Sequence, residues 1–479
     1  MKKRILSIFV FFVLMTTCLP ATSVNIENNS TVTEHKPIIF EDQSFNRIID
    51  FLMDRGHFPS ISACIIKNDE MVWSDGFGFS DRENNIPATD KTVYQIASIT
   101  KTVTGTALMQ LYDQGLFDLD DDVNDFLPFE LRNPNFPQNS ITFRMLLSHS
   151  SSLRSPQSYW QIDLIKEGPP FPGYPSPWLE DYLTPAGSNY DPAVWAENDA
   201  PGEVSSYANI NFDLVAYLVE ILSGEPFYEY CENHIFNPLE MTDTSFRLTD
   251  YDTEELAVPY FWNPLTKKHE RQANFVFLHY PAGGLFTTVK DLSHFMIAHM
   301  NGGVYKDKRL LEEETVKEMH KIQPPGNKYS FYYGLAWLIM SRSIWIGFEY
   351  PLYYILSLPN AVFSGHGGDI SYGLHTRMVM KLAGDTAVIF FINTHRIQRK
   401  GWNCAELLND VLFLKANGFK DDDFSLNIFD YIIDDINGRA NTVSFELIED
   451  NIISNTCFIN FIDRTTSIHP ILKIITRNS

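Results

Sequence analysis

Apolar residues between positions 45 and 55 recur at three- and four-residue spacing and predict a helix. A mainly apolar stretch at 60–67 has the length of a buried strand, and 70–78 reads as its hairpin partner across Lys67-Asn68-Asp69-Glu70. Small and apolar residues at helical spacing fill 105–112, directly after Ser98-Ile99-Thr100-Lys101. That pattern predicts a buried helix with Ser98 and Lys101 on its first turn. A short helix is expected at 142–147, ending in His149-Ser150-Ser151-Ser152. There His149 reads as a hydrogen-bonding residue at a helix end, with a catalytic role as the alternative. Residues 155–203 lose periodicity yet hold many prolines together with Trp160, Trp178 and Trp195, so a packed loop lining a cleft is expected.

Helical patterns return at 211–222, stopped by Ser223-Gly224, and at 226–235. Residues 280–288 read as a tight turn into a helix at 291–300, capped by Thr287 or Thr288. Residues 332–339 alternate as one strand. Ser364-Gly365-His366-Gly367-Gly368-Asp369 leads into a strand at 372–381, and 386–393 is its expected antiparallel neighbour. A helix at 402–416 closes the pattern. The apolar, aromatic run 343–358 contains Glu349 and Pro351, which argue against a membrane span. Ordinary packing, a cleft rim or a peripheral membrane contact remain for it.

Composition narrows the function classes. The 479-residue chain is 44% hydrophobic, enough for a sizeable core. Its formal net charge of -23 argues against nucleic acid or an anionic membrane as main partner, since both demand basic patches. Lys2, Lys3 and Arg4, an apolar stretch at 5–14 and then Ala21-Thr22-Ser23 predict a signal peptide over 1–23, with an uncleaved anchor as the alternative. A polar leader at 24–42 follows, so an exported protein is expected: secreted, periplasmic or at the cell surface. Cys18 falls in the signal. Cys64, Cys231, Cys404 and Cys457 show no C-x-x-C and no metal-ligand spacing, leaving two disulfides or free thiols, with Cys64 read as a buried thiol. Asp120-Asp121-Asp122 lacks the alternation of a calcium loop and reads as a solvated turn. Neither a metal nor a cofactor is expected.

The candidate chemistry starts at Ser98. Residues i and i+3 share a helix face, so the Ser98 hydroxyl and the Lys101 amine can meet where the helix dipole favours a developing oxyanion. Taken alone, this spacing fits a polar helix start with an exposed lysine. Two further clusters shift the balance: Tyr207-Ala208-Asn209 and His366-Gly367-Gly368. Ser98 is the only serine with a lysine three residues on, and Tyr207 the only tyrosine with an asparagine two residues on. A phenol near Lys101 can relay the serine proton to a leaving group, Asn209 can orient a substrate, and paired glycines let a backbone N–H approach a scissile carbonyl.

Together with Met145-Leu146-Leu147-Ser148-His149, Pro281-Ala282-Gly283-Gly284-Leu285 and Tyr333-Gly334-Leu335-Ala336-Trp337, these motifs resemble the serine β-lactamase and penicillin-binding protein superfamily. The match resembles most the class C β-lactamase-related serine hydrolases, over about 45–416. The resemblance implies an α/β (α+β) fold: an antiparallel sheet flanked by helices, with a mostly helical region at about 92–243 inserted. It places a hydrolase domain at 43–418 and leaves a C-terminal extension at 419–479 outside it. It also implies an acyl-enzyme on Ser98, with Lys101 as base or as the group that keeps Tyr207 reactive. Tyr207 would shuttle the proton, and Asn209 would hydrogen-bond Lys101 and the substrate. His366 takes the place of the lysine in the lactamase K-T-G motif. Gly367 and Gly368 line the substrate, and the N–H groups of Ser98 and Asp369 form the oxyanion hole.

His366 lacks a permanent charge, which favours an esterase or D-amino-acid peptidase over a β-lactamase or D-Ala-D-Ala carboxypeptidase. The expected substrate is a small molecule, short peptide or ester. Asp369 stands where relatives often have glycine. Its carboxylate either repels an anionic substrate or points away along the strand. The alternative from another class is a non-catalytic ligand-binding protein that retains the fold.

Overall fold

The computed structural model describes residues 43–160, 165–325, 332–341, 362–395, 399–417, 444–447 and 459–462. The expected signal and leader, the apolar run 343–358, Cys18, Cys457 and most of the C-terminal extension lie outside the described residues. Within that extension Ser444–Leu447 and Ile459–Ile462 pair antiparallel.

Helix α1 (Gln43–Gly56) leads into strands β1 (Ser60–Lys67), β2 (Glu70–Asp81) and β3 (Ile86–Pro87). Helices α2 (Thr100–Asp113), α3 (Phe143–Leu147), α4 (Ile210–Ser223), α5 (Tyr280–Gly283) and α6 (Val289–Met300) follow. The chain then returns through β4 (Tyr332–Tyr333), β5 (Leu338–Ser341), β6 (Val362–Ile370), β7 (Leu374–Lys381) and β8 (Thr386–Ile392) to helix α7 (Arg399–Ala416). The eight strands form one antiparallel sheet in the order β4-β5-β6-β7-β8-β1-β2-β3.

Strand β1 is buried from Ser60 to Ile66 because both faces of the sheet are covered. Ile61, Ala63 and Ile65 join Val388, Phe390 and Phe363 in a core shared with α1 and α7. Cys64 and Ile66 join Ile389, Phe391 and Met378 in the larger core that includes α2 and α4. Successive side chains of a strand point to opposite faces. On β6 this parity sends Phe363 toward α1 and α7, and with it Gly367 and Asp369. Ser364, His366 and Gly368 face the helices that carry Ser98.

Most predicted elements form near their expected bounds. Thr288 caps α6, its Oγ1 accepting from the Asp291 N–H at 3.0 Å. Two expectations change. The strand expected at 332–339 is split into β4 and β5. Between them the Ala336 N–H donates to Leu147 O at 2.9 Å and the Leu335 N–H to Met319 O at 2.9 Å, so this backbone bonds helix ends rather than a strand. Ala336 sits at φ 68° in the turn that results. The loop expected at 155–203 contains a helical turn, Trp178–Leu183, and buries Tyr159, Val194 and Trp195. Cys64 is a buried free thiol, as expected, and so is Cys231. Among the described residues no helix is long and apolar enough to cross a membrane.

Gly368 sets how closely β6 approaches the Ser98 turn. A Cβ there would stand 2.3 Å from Ile96 O and 2.8 Å from Ala97 Cβ, against fixed backbone. A Cβ on Gly367 would meet the Arg377 guanidinium at 3.3 Å, the movable end of a long side chain. Gly368→Ala should therefore destabilise the fold by about 1–3 kcal/mol through overpacking, and Gly367→Ala by clearly less. Urea unfolding of the two variants side by side checks the order.

Candidate active site

Ser98 lies in a single 3-10 turn, Ala97–Ile99, just ahead of α2 rather than in the helix itself. The turn is strained: Ala97 has φ 49°, a left-handed conformation that costs a non-glycine residue about 1–3 kcal/mol. Its neighbour Ile96 clamps it. The Ile96 N–H donates to Leu285 O at 2.8 Å, and Ile96 O accepts from Thr376 Oγ1 on β7 at 2.8 Å.

Helix α2 is buried almost all round, from Thr100 to Met109. Its threonine hydroxyls are satisfied without water. Thr102 Oγ1 donates to Ile99 O at 2.8 Å, Thr106 Oγ1 to Thr102 O at 2.9 Å and Thr104 Oγ1 to Pro281 O at 2.7 Å. Lys101 is therefore carried into the interior and is 0% exposed. Its Nζ lies 3.1 Å from Ser98 Oγ, donates to the Ala282 carbonyl on α5, and sits 5.0 Å and 5.7 Å from the ring centres of Tyr207 and Phe212. Burial drives the amine's pKa down to about 7, against an upward pull from the Asp213 carboxylate.

The Tyr207 hydroxyl donates to Ser98 Oγ at 2.8 Å. Tyr207 is 40% exposed, yet its ring lies beside His149, Tyr333 and His366, and desolvation raises the pKa of the phenol. Ser98, Lys101 and Tyr207 thus form one hydrogen-bonded string.

Asn209 directly precedes α4 without a side-chain capping bond, and its N–H donates to Ser155 Oγ at 3.0 Å. The hydrogen bond expected between Asn209 and Lys101 is not made. Asn209 Oδ1 is buried with no partner among the described residues. The Lys101 amine turns to Ala282 O instead, a carbonyl that sequence reasoning did not single out.

His366 faces the string from β6, its ring centre 6.3 Å from that of Tyr207. Its Nδ1 donates to Gly367 O at 2.7 Å. Burial first, and then Lys101, push its pKa down to about 3, so the ring is neutral at ordinary pH. With Nδ1 carrying the proton, Nε2 is an acceptor. Asp369 takes the second course open to it. Its carboxylate bonds His375 Nδ1 at 3.3 Å and also His395 Nδ1, on the sheet face turned away from Ser98. The opposite-face rule for strands explains this, and an anionic substrate meets no charge from it.

His149 behaves as a hydrogen-bonding helix-end residue. Its Nδ1 accepts from the Ala208 N–H and from Asn211 Nδ2, both at 3.2 Å. Burial, then Lys101 and His366, hold its pKa well below the usual histidine value. Its imidazole is 4.5 Å from the Tyr207 ring and forms one wall of the site. Among the described residues no cluster of three or more His, Cys, Asp or Glu side chains could hold a metal ion.

A family profile described as Beta-lactamase matches residues 45–403. Protein flp of Staphylococcus aureus (strain NCTC 8325 / PS 47) is 28% identical over 267 residues, 54% of this chain and 49% of flp. The chain thus spans about half the length of the flp proteins it matches. The putative penicillin-binding protein PbpX of Bacillus subtilis (strain 168) is 25% identical over 360 residues, 74% of this chain and 75% of PbpX. Among solved structures, D-amino acid amidase from Ochrobactrum anthropi SV3 superposes with a TM-score of 0.60 at 21% identity, covering 78% of this chain and 99% of the amidase. That likeness extends to the fold alone. The family match covers most of the chain: it belongs to the beta-lactamase family, within the serine β-lactamase and penicillin-binding protein superfamily.

Proposed function

We propose that this chain is an exported serine hydrolase that cleaves a neutral ester or amide through an acyl-enzyme on Ser98. The observation that carries the reading is the string Lys101 Nζ, Ser98 Oγ, Tyr207 O–H, with the amine's pKa brought down to about 7. At and above neutral pH much of Lys101 is the free amine. The 3.1 Å contact then runs the other way, with Ser98 O–H donating to the Nζ lone pair. As Ser98 Oγ bonds the scissile carbonyl carbon, its proton passes to Lys101. Tyr207 then hands a proton to the departing alkoxide or amine, and Lys101 resupplies it. Water attacks the ester on Ser98 by the reverse relay and releases the acid. The raised pKa of Tyr207 supports Lys101, rather than a tyrosinate, as the base. The oxyanion would be held by the Ser98 N–H and by the N–H of Asp369, on the strand that Gly368 lets approach the turn.

His366 supports the choice of substrate. A neutral ring with a free acceptor suits an amide N–H or an alcohol in the cleft. It provides no cation for the carboxylate of a β-lactam or of a D-Ala-D-Ala terminus. D-amino acid amidase, a structural neighbour, is by its name an enzyme of amides, which lack the carboxylate that a cation would hold. The 1–23 segment supports export by its sequence pattern.

The test is covalent labelling. After exposure to a p-nitrophenyl ester or a fluorophosphonate, intact-mass measurement should show one adduct, absent in Ser98→Ala. A labelled Ser98→Ala protein, or an unlabelled wild type across esters, D-amino-acid amides and a cephalosporin, would favour the non-catalytic ligand-binding alternative.

Lys101 also predicts a pH profile. The free amine is the active form, so kcat/KM should fall about tenfold per pH unit below about 7 and level off above it. The His366 pKa of about 3 lies outside that range and adds no inflection near neutrality.

The same shift predicts a stability effect. Lys101 titrates lower in the fold than in the unfolded chain, so its burial opposes folding fully below about pH 7, and the penalty fades as the pH rises toward 10.5. Lys101→Met should abolish labelling yet be the more stable protein at pH 6, by a few kcal/mol on the scale of 1.36 per pKa unit. Urea unfolding at pH 6 and pH 10 should show the advantage shrinking.

A further inference from the structure

Asp213 is a fully buried carboxylate in the first turn of α4, a helix otherwise apolar on nearly every side. Three donors converge on it: the Tyr159 hydroxyl at 2.9 Å, the Tyr174 hydroxyl at 3.0 Å and His279 Nδ1 at 2.6 Å. The His279 ring stacks on Tyr159 with ring centres 3.8 Å apart, and Trp178 meets it edge-on at 4.8 Å. None of these donors has a place in the acyl-transfer string. Burying a carboxylate costs several kcal/mol unless its hydrogen bonds offset the loss of water. A polar knot that ties the 155–203 loop to α4 would account for the two tyrosines, but not for His279.

His279 leads the chain somewhere specific. It immediately precedes α5, and the Ala282 N–H donates to His279 O at 3.0 Å. Ala282 O is the carbonyl that receives the Lys101 amine, and Pro281 O receives Thr104 Oγ1 from α2. One residue before Asp213 on α4, Phe212 places its ring 5.7 Å from Lys101 Nζ. The helix bearing Asp213 and the turn it anchors therefore form two walls of the Lys101 chamber.

We propose that Asp213 is a positioning residue for Lys101: through His279 it fixes the α5 turn whose Ala282 carbonyl holds the amine against Ser98, and it places a negative charge behind that amine. The proposal rests on the acyl-enzyme reading for its consequence in catalysis, but not for its effect on Lys101. The groups that face the amine are Ser98 from its own turn, Tyr207 ahead of α4, His149 after α3, His366 on β6 and Asp213 on α4. Of these, Asp213 pulls the Lys101 pKa upward.

Two variants separate charge from anchorage. Asp213→Asn removes the charge and keeps the shape. His279→Phe keeps the stacked ring and removes the bond to Asp213. In the full chain labelled with 13C-lysine, the Lys101 resonance is identified by its loss in Lys101→Met, and its titration is followed by NMR. Removing a nearby negative charge disfavours the ammonium, so in Asp213→Asn the Lys101 midpoint should move to lower pH. The acid limb of p-nitrophenyl ester acylation should move with it. In His279→Phe the single-turnover acylation rate constant should fall about tenfold at pH 8 with KM unchanged, the signature of a displaced base rather than weakened binding.

A Lys101 midpoint that stays put in Asp213→Asn overturns the proposal, and so does wild-type acylation by His279→Phe. Either result reduces the cluster to a structural knot. Should the wild type acylate with no ester, the acyl-enzyme reading falls on its own, and the Lys101 titration still decides the role of Asp213. Should Asp213→Asn fail to fold, His279→Phe decides alone, by its acylation rate or, in an inactive protein, by a changed Lys101 midpoint as the supporting result.

Discussion

A lysine amine held out of water is the constraint around which this structure is arranged. Leaving Lys101 0% exposed and bringing its pKa from 10.5 to about 7 corresponds to a penalty on the order of 5 kcal/mol against the ammonium. That is a large share of the net stability of an ordinary domain. The fold offsets it with dense apolar packing along α2 and by satisfying every threonine hydroxyl of that helix from its own backbone, from the turn before it or from α5. The amine itself is left one carbonyl, one serine oxygen and two aromatic faces. A well-solvated partner for Lys101 would stabilise the protein and remove the base.

The sheet separates this chamber from its support. Strand β6 alternates, so His366 and Gly368 meet the Ser98 turn while Asp369 meets His375 and His395 on the far side. There Arg377 pairs with Glu406 of α7, so the charged residues of this part of the sheet are gathered behind it. The face turned toward Ser98, where substrate would sit in the proposed reaction, keeps neutral groups whose polarity is directional: an imidazole acceptor, a phenol and backbone N–H groups. In a low-dielectric cleft such dipoles act on developing charge without the desolvation penalty that a second ion beside Lys101 would carry.

Much of this was legible in the sequence. The strands at 60–67, 70–78 and 386–393 were evident because burial on one or both faces leaves runs or alternation, and Ser98 with Lys101 because helical spacing sets them on one face. What could not be read depended on partners distant in the chain. The 332–339 stretch alternates like one strand, but Leu335 and Ala336 hydrogen-bond to Met319 and Leu147, whose nearness no local pattern encodes. The direction of the Asp369 carboxylate follows from strand parity, but only once the face holding Ser98 is known. Asn209 was expected to bond Lys101, yet Ala282 O, 181 residues away from Lys101, takes that place. Asp213 did leave a signal, a carboxylate one residue from Phe212 inside an apolar helix, but nothing near it in sequence identifies His279, 66 residues on, as its partner.

These distant contacts give the site its asymmetry. Lys101 and His366 are both buried basic groups whose burial disfavours the charged form, and Lys101 lowers the readiness of His366 to hold a proton further. Only one has a carboxylate behind it. Asp213 raises the proton affinity of Lys101, whereas the Arg377 charge, from across the sheet, lowers that of His366 further. A proton entering the cleft is thus directed to Lys101 and kept off His366. In the proposed reaction the two basic groups would keep different tasks, one exchanging protons with Ser98 and the other offering a steady acceptor to a neutral substrate. A lysine in place of His366 would compete for that proton and weaken the division. On this argument His366 and Asp213 are parts of one electrostatic arrangement.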